Sequence, residues 1–148
     1  MVREMTTIDF LYRYWKYYIE IEKEFAQTVN FVSIDRNNFN TYSDAYIKIL
    51  LQIGSEIDIT CKLLCELLGA AMQEGSIKKY QNIIKKNITD FGSVSIKVRN
   101  TDLEAIPWGA WSSESVPSWW TVYNKVKHYR DSSGSIDGIK MSYYSSQI

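Results

Sequence analysis

Apolar residues recur along this chain in blocks, and the spacing inside each block predicts its element. Over 7–29, Ile8, Leu11, Tyr12, Trp15, Tyr18, Ile19, Glu22 and Phe25 fall three and four apart, and all but Glu22 are apolar. Residues at that spacing share one side of an α-helix, so the block predicts an amphipathic helix with one buried stripe. Thr6 or Thr7 can cap it. Asp9 then lies in the first turn, where the positive end of the helix dipole favours a carboxylate. The polar, Asn-rich stretch 34–41 predicts a loop. Ser43 starts a longer helix that Gly69 ends. Its apolar residues, from Ile47 and Leu50 through Ile57 and Cys61 to Leu68, cover more than half its circumference. Such a helix is expected at the centre, touching neighbours on two sides or a partner chain. Within it, Asp58 and Lys62 stand four apart and are expected to pair.

Gly75 and Ser76 interrupt the pattern, and a shorter helix follows over 77–88. Its Lys78, Lys79, Lys85 and Lys86 form a basic face, read as solvated surface before nucleic-acid contact. The period then changes: Val94, Ile96 and Val98 alternate with polar residues, as in a strand. Asn100, Thr101 and Asp102 can turn the chain, and 103–106 can return before Pro107 stops it. Trp108 and Trp111 are expected to fasten this insert to the helices. Pro117 opens a last helix over 118–131, at a position where proline is tolerated. The fold class that follows is mainly α: a small antiparallel bundle of about four helices, with a short extended or β-hairpin insert before the last. Residues 1–131 are expected to form its single domain, and 132–148 a polar, flexible tail.

Composition narrows the functional classes. A chain of 148 residues fits one domain, and 45% hydrophobic with 23% charged residues is an ordinary globular balance. Lys and Arg number 17, as do Asp and Glu, so the net charge is zero. That speaks against binding chromatin or a membrane surface by bulk charge, and leaves room for a local basic site. Cys61 and Cys65 would stack on one helix face, a spacing that suits a disulfide poorly. Arg3, Glu4 and Asp9 break any apolar run at the start, and no apolar stretch is long enough to span a bilayer. The expectation is a reducing, cytoplasmic setting with no membrane partner.

Chemistry is restricted in the same way. Two cysteines and one histidine give no metal-ligand spacing, so neither metal nor cofactor is expected. There is no Gly-rich phosphate loop, no nucleophile elbow, and no second histidine to serve a cysteine nucleophile. The last helix carries what remains. At 100° per residue, Trp119, Val122, Tyr123, Val126 and Tyr129 share the core stripe. Asn124 and His128 fall on the opposite side, with Trp120 and Thr121 beside them. The only histidine is therefore expected outside the core, flanked by Lys125, Lys127 and Arg130. A chance surface residue and a structural interface are the two plain readings. The chemical one is that a histidine, able to hold or release a proton near neutral pH, acts on a phosphodiester. It would take the proton of a ribose 2′-hydroxyl and return one to the leaving oxygen, while cations steady the phosphate.

The run Trp119, Trp120, Thr121, Val122, Tyr123, Asn124, Lys125, Val126, Lys127, His128, Tyr129, Arg130 resembles the C-terminal signature of bacterial HEPN-like proteins. Ile106, Pro107, Trp108 and Trp111 before it, and the helix around Ser55–Asp58 and Lys62, are similar to the elements that precede that signature. The resemblance implies a bundle of four or five helices that dimerises with its motif helices facing each other. It implies a metal-independent endoribonuclease of toxin–antitoxin, abortive-infection or related phage-defence systems, with RNA as substrate and a cognate antitoxin or other defence protein as partner. Mapped here, His128 is the acid–base and Asn124 its polar companion. Lys125, Lys127 and Arg130 are candidates for phosphate. Tyr123 occupies the position of the family's arginine and is counted with them. That departure, with the polar residues Asp131, Ser132, Ser133 and Gly134 where relatives continue into another helix, supports the alternative of a catalytically degenerate module acting through dimerisation and partner or nucleotide binding.

Overall fold

Thr6 opens the first helix with a reciprocal cap. Its Oγ1 accepts the Asp9 amide at 3.1 Å, while the Asp9 carboxylate accepts the Thr6 amide at 3.2 Å. The computed structural model describes residues 5–41 and 43–129, so the tail expected over 132–148 lies outside the described residues. From the cap, α1 (Thr7–Phe10), a π-helical turn (Leu11–Trp15) and α2 (Lys16–Thr28) run on as one N-terminal helix. The stripe predicted to be buried is not. Ile8 is 65% exposed, Tyr12 74%, and Leu11, Trp15 and Tyr18 each near half. The buried position of α2 is Ile21, and Glu24 beside it pairs with Lys48. Trp15 within the π turn and Tyr18 beyond it are exposed as well, because α3 packs chiefly on α2 and leaves the preceding stretch without a neighbour.

α3 (Asp44–Leu67) starts where Ser43 Oγ accepts the Ala45 amide at 3.2 Å. It ends at Gly69, whose φ of +88° is the left-handed conformation that glycine adopts without penalty. As its apolar girth predicts, it lies between neighbours, packing on α2, on α4 (Ile77–Asn87) and on α5 (Ser118–Tyr129). Cys61 and Cys65 are buried, unpaired thiols. Asp58 does not pair with Lys62; its carboxylate accepts the Tyr80 hydroxyl of α4 at 2.9 Å. The basic face of α4 is likewise broken. Lys78, Lys79 and Lys86 are exposed, but Lys85 turns inward to donate to the Trp111 carbonyl at 2.7 Å.

The insert is the short antiparallel hairpin expected, β1 (Ile96–Lys97) against β2 (Glu104–Ala105), with Ile96 opposite Ala105. Asn100 takes φ 60° at its turn, a conformation asparagine tolerates better than most residues. Leu103 and Phe39 form a small satellite core that ties the hairpin to the loop before α3. The main core joins α3, α4 and α5 through Cys61, Cys65, Ile77, Tyr80, Ile84, Trp111, Trp120 and Tyr123. No helix among the described residues is long and apolar enough to cross a membrane.

Candidate functional site

α5 is held by aromatic rings. Trp111, on a 3-10 turn (Gly109–Ser113), is fully enclosed, with the Trp108 ring 4.4 Å and the Phe91 ring 5.5 Å away, centroid to centroid. Trp119 stands edge-on to Trp108 at 5.2 Å, and its indole N–H donates to the Pro107 carbonyl at 2.8 Å. Offset and edge-on rings attract through their quadrupoles beyond what burial alone gives, so the helix start is clamped in position. Trp120, placed by the helical wheel beside Asn124 and His128, is instead 7% exposed and continues this cluster to Tyr123 at 5.1 Å. Trp120 belongs to the main core with Cys61, Cys65 and Tyr80, and Trp119, half-buried, packs against that core.

Tyr123 is a core residue, 4% exposed. Its ring lies so flat against Gly54 of α3 that a Cβ on Gly54 would overlap it. As a candidate substrate contact it is displaced: the ring faces α3 rather than solvent. Sequence reasoning passed over Gly54, although glycine inside a helix costs about 1 kcal/mol against alanine and points to a close approach.

The outward side of α5 carries Thr121, Lys125 and His128, all exposed, with Asn124 half-buried between the two faces. Asn124 and His128 are separated by about 6 Å along the helix axis. Among the described residues no hydrogen bond joins them, and none fixes the imidazole. Lys127 is exposed, and its ammonium sits 5.6 Å from the centroid of the Tyr123 ring, within reach of a cation–π attraction. Lys127 and His128 occupy the last turn, where the negative end of the helix dipole favours cations. That gives the same residues a purely structural reason to be there. Arg130 lies outside the described residues. The described residues contain no cluster of three or more His, Cys, Asp or Glu side chains that could hold a metal.

Perturbed titrations lie elsewhere. Burial, reinforced by Cys65 and Asp58, pushes the Cys61 thiol up to about 12. Burial and the hydrogen bond to Asp58 also raise the Tyr80 phenol above its ordinary range. Both groups are held protonated inside the core, which suits packing and not nucleophilic attack. Comparison with family models, with curated proteins and with solved structures finds no significant match to this chain.

Proposed function

We propose that the chain is a HEPN-like domain that binds RNA along the outward side of α5 and cleaves it without a metal, with His128 as the acid–base. The observation that carries the reading is the local arrangement of cations. Position 123, where the family has arginine, holds a buried tyrosine, yet the Lys127 ammonium lies over that tyrosine's ring. Positive charge is thus available one helical turn away from the lost guanidinium, beside the buried ring that replaces it. In this reading Lys125 and Lys127 hold the phosphate, and Asn124 orients the imidazole or the ribose. His128 takes the 2′-hydroxyl proton as that oxygen attacks phosphorus and the bond to the 5′-oxygen breaks. A second copy's His128 would protonate the departing oxygen, as the resemblance implies. A toxin–antitoxin or phage-defence setting, with a cognate antitoxin or other defence protein as partner, belongs to the same reading.

A second reading has its own support. Lysine presents a point charge where arginine would grip two phosphate oxygens at once, and no partner holds His128 among the described residues. Both features suit a domain that binds without cutting. Incubation of total RNA in EDTA with wild type and His128→Ala, matched for helicity and oligomeric state, separates the two. Cleavage that yields 2′,3′-cyclic phosphate ends and is lost in the variant is the expected result. RNA left intact by a well-folded wild type moves the assignment to the binding module.

A further inference from the structure

α4 carries four lysines and no acid, with Glu74 and Asp90 beyond its two ends. Lys85 points inward to the Trp111 carbonyl. Lys78, Lys79, Asn82 and Lys86 are exposed, and on a helical wheel they fall within about 100° of arc. Ile77, Tyr80, Gln81 and Ile84 are buried on the other side. Among the described residues none of the three exposed lysines forms an ion pair, and Lys79 Nζ donates to the Glu74 carbonyl at 3.3 Å. Their placement runs against local electrostatics. The helix begins at Ser76, whose Oγ accepts the Lys79 amide at 3.3 Å. Lys78 and Lys79 therefore occupy the first turn, where the positive end of the helix dipole favours a carboxylate. The two other α-helices that start at such a cap follow that rule, with Asp9 after Thr6 and Asp44 after Ser43. Lys86, near the other end, is where the dipole favours a cation. A local rule kept elsewhere and broken here points to a demand other than folding.

We infer that this side of α4 holds the phosphate backbone of base-paired RNA. The choice of RNA over DNA rests on the function proposed above; the phosphate contact does not. Lys78 and Lys86 stand about 12 Å apart along the helix axis, and a double helix carries a charge on the order of every 2 Å of its own axis. Base-paired RNA is recognised mainly through that backbone and its shape. Asn82, between the lysines, adds an amide that can donate to a phosphate oxygen. A single strand fits less well, because proteins that hold one add aromatic rings on which bases stack. The ring of α4, Tyr80, is enclosed in the core. A membrane fits less well again. An interfacial helix buries its apolar face in lipid, and the apolar side of α4 is already packed into the core with α3 and Trp111.

The test is fluorescence anisotropy of the full chain with a labelled 2′-O-methyl RNA duplex, at salt concentrations between about 50 and 200 mM. Wild type is compared with Lys78→Gln, Lys79→Gln and Lys86→Gln combined. A control removes the same charge by Lys16→Gln, Lys23→Gln and Lys97→Gln, at exposed positions on other elements. Glutamine keeps helix propensity, so the α4 variant should melt as wild type does. The expected result is wild-type binding whose dependence of log affinity on log salt becomes shallower by about 3 in the α4 variant, about one per lysine, and is unchanged in the control. A wild type that does not bind the duplex, an α4 variant with the wild-type slope, or a control that loses as much overturns the inference. Tighter binding of a matching DNA duplex overturns the choice of RNA. Failure of the reading of α5 looks different: total RNA then stays uncut while duplex binding still depends on α4.

Discussion

Two aromatic-rich regions of this chain meet opposite fates. The N-terminal helix carries Phe10, Tyr12, Tyr14, Trp15, Tyr17 and Tyr18, yet leaves four of these rings at least 42% exposed. The region leading into α5 carries Trp108, Trp111, Trp119, Trp120 and Tyr123 and seals them into a continuous stack. Residue type and helical spacing do not separate them. What differs is cover. Trp108, just before the 3-10 turn, meets Trp119 at the start of α5, and α3 and α4 supply the rest of the core around Trp120 and Tyr123. Only α2 leans on α3 at the N-terminal end. An aromatic stripe therefore says that a helix will be covered, and leaves open whether its own chain does the covering.

The largest expected effect falls at the centre of the sealed stack. Trp111→Ala empties the most enclosed large side chain and should cost about 3–5 kcal/mol in denaturant melts. Trp111→Phe should cost much less, because the indole N–H that it removes is buried without a partner. Equal losses would mean that the ring's position, not the volume it fills, holds α5. Next is Gly54→Ala. The helix gains about 1 kcal/mol of propensity, but the new methyl overlaps Tyr123 and overpacking costs about 1–3 kcal/mol, so a net loss is expected. A stabilised variant would show that the Tyr123 ring can yield.

Tyr80→Phe should destabilise by about 1–2 kcal/mol, since it leaves Asp58 without its 2.9 Å donor. It should also change the alkaline limb. Below pH 9 the Cys61 thiol and Tyr80 phenol are protonated in folded and unfolded chains alike. Above it the unfolded chain releases protons that the fold retains, Cys61 up to about 12. Stability should fall as pH rises through that window, and less steeply above pH 10 in the tyrosine variant. The smallest effect on stability is expected at His128→Ala, on the exposed end of α5, where melting should be unchanged. A clear loss of stability there would give the histidine a structural role.

Element order, the two N-terminal caps at Thr6 and Ser43, the break at Gly75 and the hairpin before the last helix were legible in the sequence, because caps, glycines and period are local signals. The side each helix buries was less so. Ile8 through Tyr18 have the spacing of a buried stripe, but α3 packs chiefly on α2 and leaves them exposed. Trp120 was misplaced because a helical wheel cannot see how far the core shared with α3 and α4 reaches around α5. Asp58 met Tyr80 rather than Lys62 because a partner on another helix outcompeted the neighbour on its own. Of the candidate site, the exposure of His128 followed from the wheel, while Asn124, placed with it opposite the core, is half-buried. The seat of Tyr123 on Gly54 and the position of Lys127 above it depend on α3 and were invisible to it.

The most direct test sets the two regions against each other in one spectrum. A short single-stranded RNA with 2′-O-methyl groups, which cannot undergo attack by its own 2′-oxygen, would be titrated into isotope-labelled protein and followed by amide NMR. The account predicts shifts concentrated at Asn124, Lys125, Lys127 and His128, with residues 8–18 unmoved. An unshifted α5, or shifts gathered on the N-terminal helix, would contradict the assignment of RNA to the outward side of α5.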